Sequence, residues 1–454
     1  MSRRILHVGL GAFHRAHQAV FLQRLHDAGD RTWTLAAGNL RRDGDALLAT
    51  LATQGGAYTL ETVDPDGRRQ YERIRAIAEV LPAAGGVRAL VDRGADAATH
   101  IVSLTVTESG YGLDARGALD LAAPDVAADL EAVRAGRPGA TVYGFLVALL
   151  RERMRRAAGP LTLLSCDNLR HNGERLRAAL LRFVQASGDA ALAAWLLEHT
   201  TCPNTMVDRI TPRPTDALRE RVRAQLGVDD AAPVSAEAHL QWVIEDRFAA
   251  GRPAWETVGA ELVADVAPYE EAKIRLLNAT HSAVAWAGAL RGHVFVHDAV
   301  RDPVVRGVAL AYATEDAIPA LAPSPVDLAA YRDQVLARFA NPAIADTLQR
   351  VASDSRAKLA MFIAPTVRDR LAAGAPAHAV AMLAALYLAF IERARRGALP
   401  FHHGDPDVAA PAAADAAAAL CQDAAVWGEA AADARWLAAV RAAASSAQAR
   451  LDGA

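Results

Sequence analysis

The chain has 454 residues, of which 52% are hydrophobic and 22% charged, with a net charge of −3. That length exceeds one typical core and predicts two domains, while the slight negative charge speaks against a dedicated nucleic-acid or anionic-membrane partner. Three cysteines, Cys166, Cys202 and Cys421, form no CxxC pair, which suits a reducing cytoplasm and argues against a structural zinc or a disulfide framework.

The N-terminus MSRRILHVGL starts a short apolar run that ends in a glycine loop rather than a cleavage site, so a cytoplasmic location is expected. ILHVG (5–9) reads as a strand, and HQAVFLQRLHDAG after it has helical spacing. WTLAAGN (33–39), HIVSLTVTESGYG (100–112) and PLTLLSCDN (160–168) read as further strands, the last two with polar ends. TVYGFLVALLRERMRRA and HNGERLRAALLRFVQ carry the helical period between and after them. Strands alternating with helices predict a parallel sheet, which presents its sites at the carboxyl ends of its strands.

From Pro268 the pattern changes. YEEAKIRLLNATHSAVAWAGAL predicts a long helix, with Glu270 and Glu271 suited to its N-terminus. The remainder is Ala-rich, amphipathic and almost free of strand signals. The expected architecture is therefore α/β: a Rossmann-like dinucleotide-binding domain over 1–265, followed by a mainly α-helical substrate and catalytic domain over 266–454. The longest apolar run, Ala379–Ile391, is too short to span a bilayer. The Ala-rich stretch 408–420 is low in complexity and compatible with helix.

Gly9-Leu10-Gly11-Ala12-Phe13-His14 follows a strand and opens a helix. In that context glycines let backbone N–H groups approach a pyrophosphate. His14 replaces the third glycine of the usual pattern. The second strand ends Gly38-Asn39-Leu40-Arg41-Arg42-Asp43. Asp43 suits a ribose and favours NAD; Arg41 and Arg42 could instead meet a 2′-phosphate, which leaves NADP open.

Lysine is nearly absent: Lys273 and Lys358 stand against 47 arginines. Arginine cannot give up its proton in a protein, whereas a lysine amine can act as a base. On an ideal helix at ~100° per residue, Glu270, Lys273, Asn278 and His281 fall within an arc of ~140°. Oxidising an alcohol needs a base for the hydroxyl proton, donors around the oxygen and a hydride acceptor. Lys273 can be that base, Asn278 a donor, and His281 a partner for a hydroxyl. Tyr269 to Lys273 also matches the YxxxK spacing of short-chain dehydrogenases. Pro268 places Tyr269 at the very start of the helix, and the glycine loop and chain length differ from that class. Asn168, Asp208, Arg350 and Lys358 supply further amide and charged groups of the kind a polyhydroxylated ligand needs.

GLGAFHRAHQA, TVTESGY, SCDNLRHNG, CPNTMVDRITP, YEEAKIRLLNATHS and the Arg350–Lys358 segment together resemble the polyol-specific long-chain dehydrogenases, the mannitol dehydrogenase family. The resemblance implies a metal-independent oxidoreductase with Lys273 as general base. Asn168 and Asn278 would form the oxyanion hole, and Glu270 would relay protons. His281, Asp208, Arg350 and Lys358 would contact substrate hydroxyls. Cofactor contacts are expected from Gly9, Gly11, Phe13, His14, Arg15, Asn39, Asp43, Thr105, Thr107 and Glu108. AAGNLR, LATQGGAYTLETV and TTCPNTMVDRITPRP resemble most the members that oxidise D-arabinitol at C4 to D-xylulose. Mannitol oxidation at C2 and hexuronate reduction are the alternatives within the family. The expected partner is a small polyol or ketose, and a monomer is compatible with this reading.

Overall fold

The computed structural model describes every residue except 1–2, 82–86, 115–116, 411–412 and 453–454. Two compact units emerge, Met1–Asp64 with Arg68–Ala267 and Pro65–Gly67 with Pro268–Ala454.

The first unit contains twelve strands among the described residues: β1 Arg3–Val8, β2 Trp33–Gly38, β3 Tyr58–Val63, β4 Arg69–Ile74, β5 Ile77–Val80, β6 Thr99–Leu104, β7 Leu161–Ser165, β8 Thr200–Thr201, β9 Thr205–Asp208, β10 Val234–Glu237, β11 Gln241–Glu245 and β12 Glu261–Val263. Six of them form one sheet in the order β5-β2-β1-β6-β7-β8, with every neighbouring pair parallel. The order runs outward from β1 in both directions, which is the doubly wound Rossmann arrangement with its switch point between β1 and β6. The pleat sends alternate residues to opposite faces. Leu6, Val8, Val102, Leu104, Leu161 and Leu163 pack under the helices Val142–Arg155 and Asn172–Ser187. Ile5, Leu35, Ile101 and Leu164 pack on the other face with the helix Gln18–Asp27 and with Trp242 and Trp255.

Two three-stranded sheets, β10-β3-β4 and β12-β11-β9, complete this unit. Neither was predicted. β3 and β4 form a local hairpin, Val63 opposite Arg69, while β10 and β9 join from far along the chain, as Val234 does to Leu60, which local periodicity does not report.

The second unit is helical, as expected. Its core gathers around the helix Ala279–Leu290, where Trp286 is fully buried and donates from Nε1 to Ser355 Oγ at 2.9 Å. The long helix His378–Arg395 packs into the same core. Among its described residues the Ala-rich stretch contributes short helices, Pro406–Ala409 and Ala416–Cys421. Among the described residues no helix is long and apolar enough to cross a membrane.

The helix starting at Ala267 departs from the predicted geometry. It is α-helical over Ala267–Ala272, π-helical over Lys273–Asn278, and α-helical again from Ala279. The Ala279 N–H donates to Ile274 O, five residues back. A uniform 100° step therefore does not hold across the residues of interest.

Candidate active site

In the first unit the glycine loop sits at the switch point. The Gly9 N–H donates to Gly38 O at 3.0 Å, and the Thr105 N–H donates to Val8 O at 3.0 Å, so the ends of β1, β2 and β6 are laced together. Gly9 has φ +111, and a Cβ there would lie 2.3 Å from Thr105 O. Only glycine fits. A Cβ on Gly11 would meet nothing nearer than Gly9 O at 3.8 Å, so this backbone is open to a ligand on that side. Those are the two roles that a pyrophosphate-binding loop assigns to its glycines, and the loop fits a dinucleotide. Thr105 Oγ1 donates to Gly9 O at 2.7 Å, and Asn39 Nδ2 donates to Leu10 O at 3.4 Å.

The other residues expected at the cofactor are placed as follows. His14 is 1% exposed and stacks on the buried His7 ring with centroids 3.4 Å apart. Burial and the neighbouring His7 hold its imidazole well below the ordinary range, hence neutral. Arg15 is 2% exposed; it donates to Gly11 O and Ala232 O and lies over the Tyr58 ring. Their side chains build the first unit's core, which leaves only their backbones to face a cofactor. Phe13 stacks on His17 with centroids 5.0 Å apart. Asp43 lies in a 3-10 turn, Arg42–Gly44, beyond β2, and pairs with Arg41 at 2.9 Å. Thr107 is exposed, and the side chain of Glu108 lies outside the described residues.

Asn168 is exposed just beyond β7. The preceding residue, Asp167, is buried and accepts three hydrogen bonds. Asp208 ends β9 at 5% exposure, with the His239 imidazole 3.3 Å from its carboxylate. Sequence reasoning missed His239, because it lies 31 positions from Asp208 and meets it only when β9 and β11 pair antiparallel.

In the second unit the structure brings His281, Arg350 and Lys358 together around Asp346. Arg350 donates to Asp346 from Nε at 2.6 Å and from a terminal nitrogen as well. His281 Nε2 stands 3.8 Å from the same carboxylate, and its ring stacks on Phe339 with centroids 4.4 Å apart. Burial pushes the His281 pKa down to about 4, assisted by Arg350, Lys358 and Arg338 and opposed by Asp346. Its Nε2 is buried and makes no hydrogen bond. A neutral imidazole with one unengaged nitrogen suits a ligand hydroxyl. Arg350 stands four residues after Asp346, and that spacing was the one signal for this carboxylate in the sequence.

Lys358 is also held by its own chain. Its Nζ donates to Val351 O at 2.7 Å and to Ser353 O at 2.5 Å, closing the end of the short helix Leu348–Ala352. Two of its three donors therefore hold its own chain. Its pKa is lowered, chiefly by burial. Glu270 is 6% exposed. Lys273 and Asn278 are the first and last residues of the π-helical segment, and both are partly exposed.

A doubly wound dinucleotide fold, a glycine cradle and a second, helical unit with a lysine and an amide at the two ends of one π-helical segment define a two-domain oxidoreductase of the cofactor-dependent kind. The chain belongs to the mannitol dehydrogenase family: residues 3–257 match the model of its Rossmann domain and residues 265–446 that of its C-terminal domain. It is 55% identical over 433 residues to a D-arabinitol 4-dehydrogenase of Ralstonia nicotianae, covering 93% of this chain and 92% of that one. A D-arabinitol 4-dehydrogenase of Klebsiella pneumoniae is 47% identical, with 96% of each chain covered. Among solved structures, the Pseudomonas fluorescens mannitol 2-dehydrogenase in ternary complex with NAD and D-mannitol superposes with a TM-score of 0.85. It is 35% identical, with 100% of this chain and 94% of that one covered.

Proposed function

We propose that this polyol dehydrogenase oxidises D-arabinitol at C4 to D-xylulose with NAD, using a lysine base and no metal. The reading rests above all on the 55% identity over nearly the whole chain to a D-arabinitol 4-dehydrogenase. Residues 1–265 hold the cofactor and residues 266–454 carry the base. NAD, when bound, supplies the hydride acceptor. Gly9, Gly11 and Asn39 would hold it, with Asp43 at the ribose end.

Neutral Lys273 takes the proton of the C4 hydroxyl, and Glu270 passes protons between Lys273 and solvent. Asn168 and Asn278 donate to the oxygen as negative charge develops, which stabilises the transition state more than the ground state. His281 and Asp208 hold neighbouring hydroxyls, with Arg350 and Lys358 beside His281. Because the base must be neutral, the oxidation rate rises with pH.

Within the family, D-mannitol oxidation is the second reading, favoured by the likeness to the mannitol 2-dehydrogenase fold. Hexuronate reduction is less favoured. It needs a free guanidinium for the substrate carboxylate, and Arg350 spends two donors on Asp346. NADH and NADPH formation measured over D-arabinitol, D-mannitol, xylitol, D-sorbitol and hexonates decides among these. The highest kcat/KM is expected for D-arabinitol with NAD, and a higher value for any other pair overturns the substrate or cofactor assignment.

A further inference from the structure

Asp167 is a carboxylate where a carboxylate is costly. It is 8% exposed at the carboxyl end of β7. Its hydrogen-bond partners are three neutral donors rather than a cation. The Val106 N–H donates to Oδ1 at 2.6 Å, and the Tyr111 and Ser165 hydroxyls donate to Oδ2 at 2.5 and 2.9 Å. Tyr111 O–H and Ser165 Oγ also stand 2.7 Å apart. Three mutually bonded oxygens share two protons when the carboxyl is ionised and three when it is protonated. Burial pushes its pKa up to about 7, against the three donors, which favour the ionised form.

The backbone of Asp167 is held as firmly as its side chain. Asn172 Nδ2 donates to Asp167 O at 2.9 Å and to Thr205 O at 2.9 Å, and Asn172 Oδ1 accepts from the Thr205 N–H at 2.9 Å. Thr205 Oγ1 in turn donates to Ser165 O at 2.6 Å. The peptide that leads into Asn168 is thus pinned from the β9 side. The Asp167 side chain pins it from the other side to the loop after β6, at the residue between Thr105 and Thr107.

The geometry points to Asp167 as a positioning residue that fastens the loop after β6 to the peptide presenting Asn168. The inference rests on the reading of Asn168 as a donor to the substrate oxygen and of the loop after β6 as part of the cofactor site. Buried carboxylates without a cation are rare because desolvation disfavours the charge. An asparagine would keep the same shape here. Its oxygen would accept from Val106, and its amide would donate to hydroxyls that are free to rotate.

The test compares Asp167→Ala with Asp167→Asn in the full-length chain, reading amide hydrogen exchange at Val106 alongside kcat and both KM values. Alanine is expected to speed Val106 exchange, lower kcat by ~10–100-fold and raise the NAD KM severalfold, as misplacement of reacting groups by a fraction of an ångström does. Asparagine is expected to stay within about threefold of the parent in each. An unchanged kcat in the alanine variant overturns the proposal. So does an equal loss in both variants, which would mean that the charge itself takes part. If the parent turns over none of the polyols, the assigned function fails, while Val106 exchange still decides whether the clamp exists. If Asp167→Ala does not fold, Tyr111→Phe takes its place. A loss in kcat of about threefold or more with faster Val106 exchange supports the clamp, and no change in either refutes it.

Discussion

Lys273 and Asn278 open and close one π-helical segment. On an ideal α-helix they would stand ~140° apart around the axis. An i→i+5 ladder instead brings residue i+5 near the line above residue i, as the i→i+4 ladder does for i+4 in an α-helix. The segment therefore turns a candidate base and a candidate oxygen donor toward a common side. Inserting one alanine after Ile274 would put the two residues six positions apart, ~120° around an α-helical axis, and should turn Asn278 away from Lys273. Turnover should fall ~100-fold or more while circular dichroism stays helical. Retained activity would show that the π-segment is incidental.

Lys273→Ala should lower kcat by ~10²–10⁴-fold, the span of general-base catalysis, and leave NADH affinity intact. Lys273→Arg should not rescue it, since a guanidinium keeps its proton. Steady-state kinetics with D-arabinitol and fluorescence titration with NADH measure both quantities. Substantial activity in the arginine variant would remove Lys273 from the role of base.

Gly9 and Gly11 should respond differently to the same substitution. Gly9→Ala puts a Cβ 2.3 Å from a backbone oxygen at φ +111, and should cost at least ~2 kcal/mol of stability. Gly11→Ala has an ordinary φ of −117 and no atom nearer than 3.8 Å. It should fold with an unchanged Tm and raise the NAD KM. Equal Tm losses in the two variants would contradict this division of roles.

Lys358→Ala leaves Val351 O and Ser353 O without their ammonium donor, at a cost of about 1–2 kcal/mol. Lys358→Arg should recover that only in part, because a planar fork does not converge on two carbonyls as a compact ammonium does. Thermal melts follow the stability. The D-arabinitol KM of the arginine variant tells whether the third N–H also serves substrate: it should rise, and an unchanged value would confine Lys358 to a structural role.

Two buried groups should tilt the pH dependence of stability in opposite directions. The folded pKa of His281 is about 4 against an ordinary 6.5. Below 6.5 the unfolded chain takes up the proton first, so stability is full above 6.5 and falls as pH drops toward 4. Asp167 has a folded pKa of about 7 against 3.8. Above 3.8 the unfolded chain loses its proton first, so the contribution of Asp167 is largest at low pH and is lost as pH rises to 7. His281 faces Asp346, Arg350, Lys358 and Arg338. Asp167 faces the hydroxyls of Tyr111 and Ser165 and the N–H of Val106. Melts from pH 4 to 7 should show His281→Gln losing the low-pH decline and Asp167→Asn losing the high-pH decline. Parallel curves for parent and variant would deny the shift in question.

Much of this protein is local, and what is local was legible. The β1 strand, the glycine loop and the 142–155 and 172–187 helices follow from short-range periodicity and from glycine's backbone freedom, which act within a few residues. The scarcity of lysine singled out Lys273 and Lys358 from composition alone. The rest depended on where distant segments meet. The pairing of β10 with β3 and that of His239 with Asp208 required strands far apart in the chain to come together. Burial of His14 and Arg15 behind the glycine loop, and convergence of three donors on Asp167, were likewise settled by packing. The π-segment at Lys273 lies between these two cases: the helix itself was evident from composition, but its extra residue per turn shows no periodic signature over so short a span. Sequence alone determined which chemical groups this protein carries and in what order; tertiary structure decided which of them are desolvated, which are held by their own chain and which stay open to a ligand, because burial and convergence depend on contacts that no local window contains.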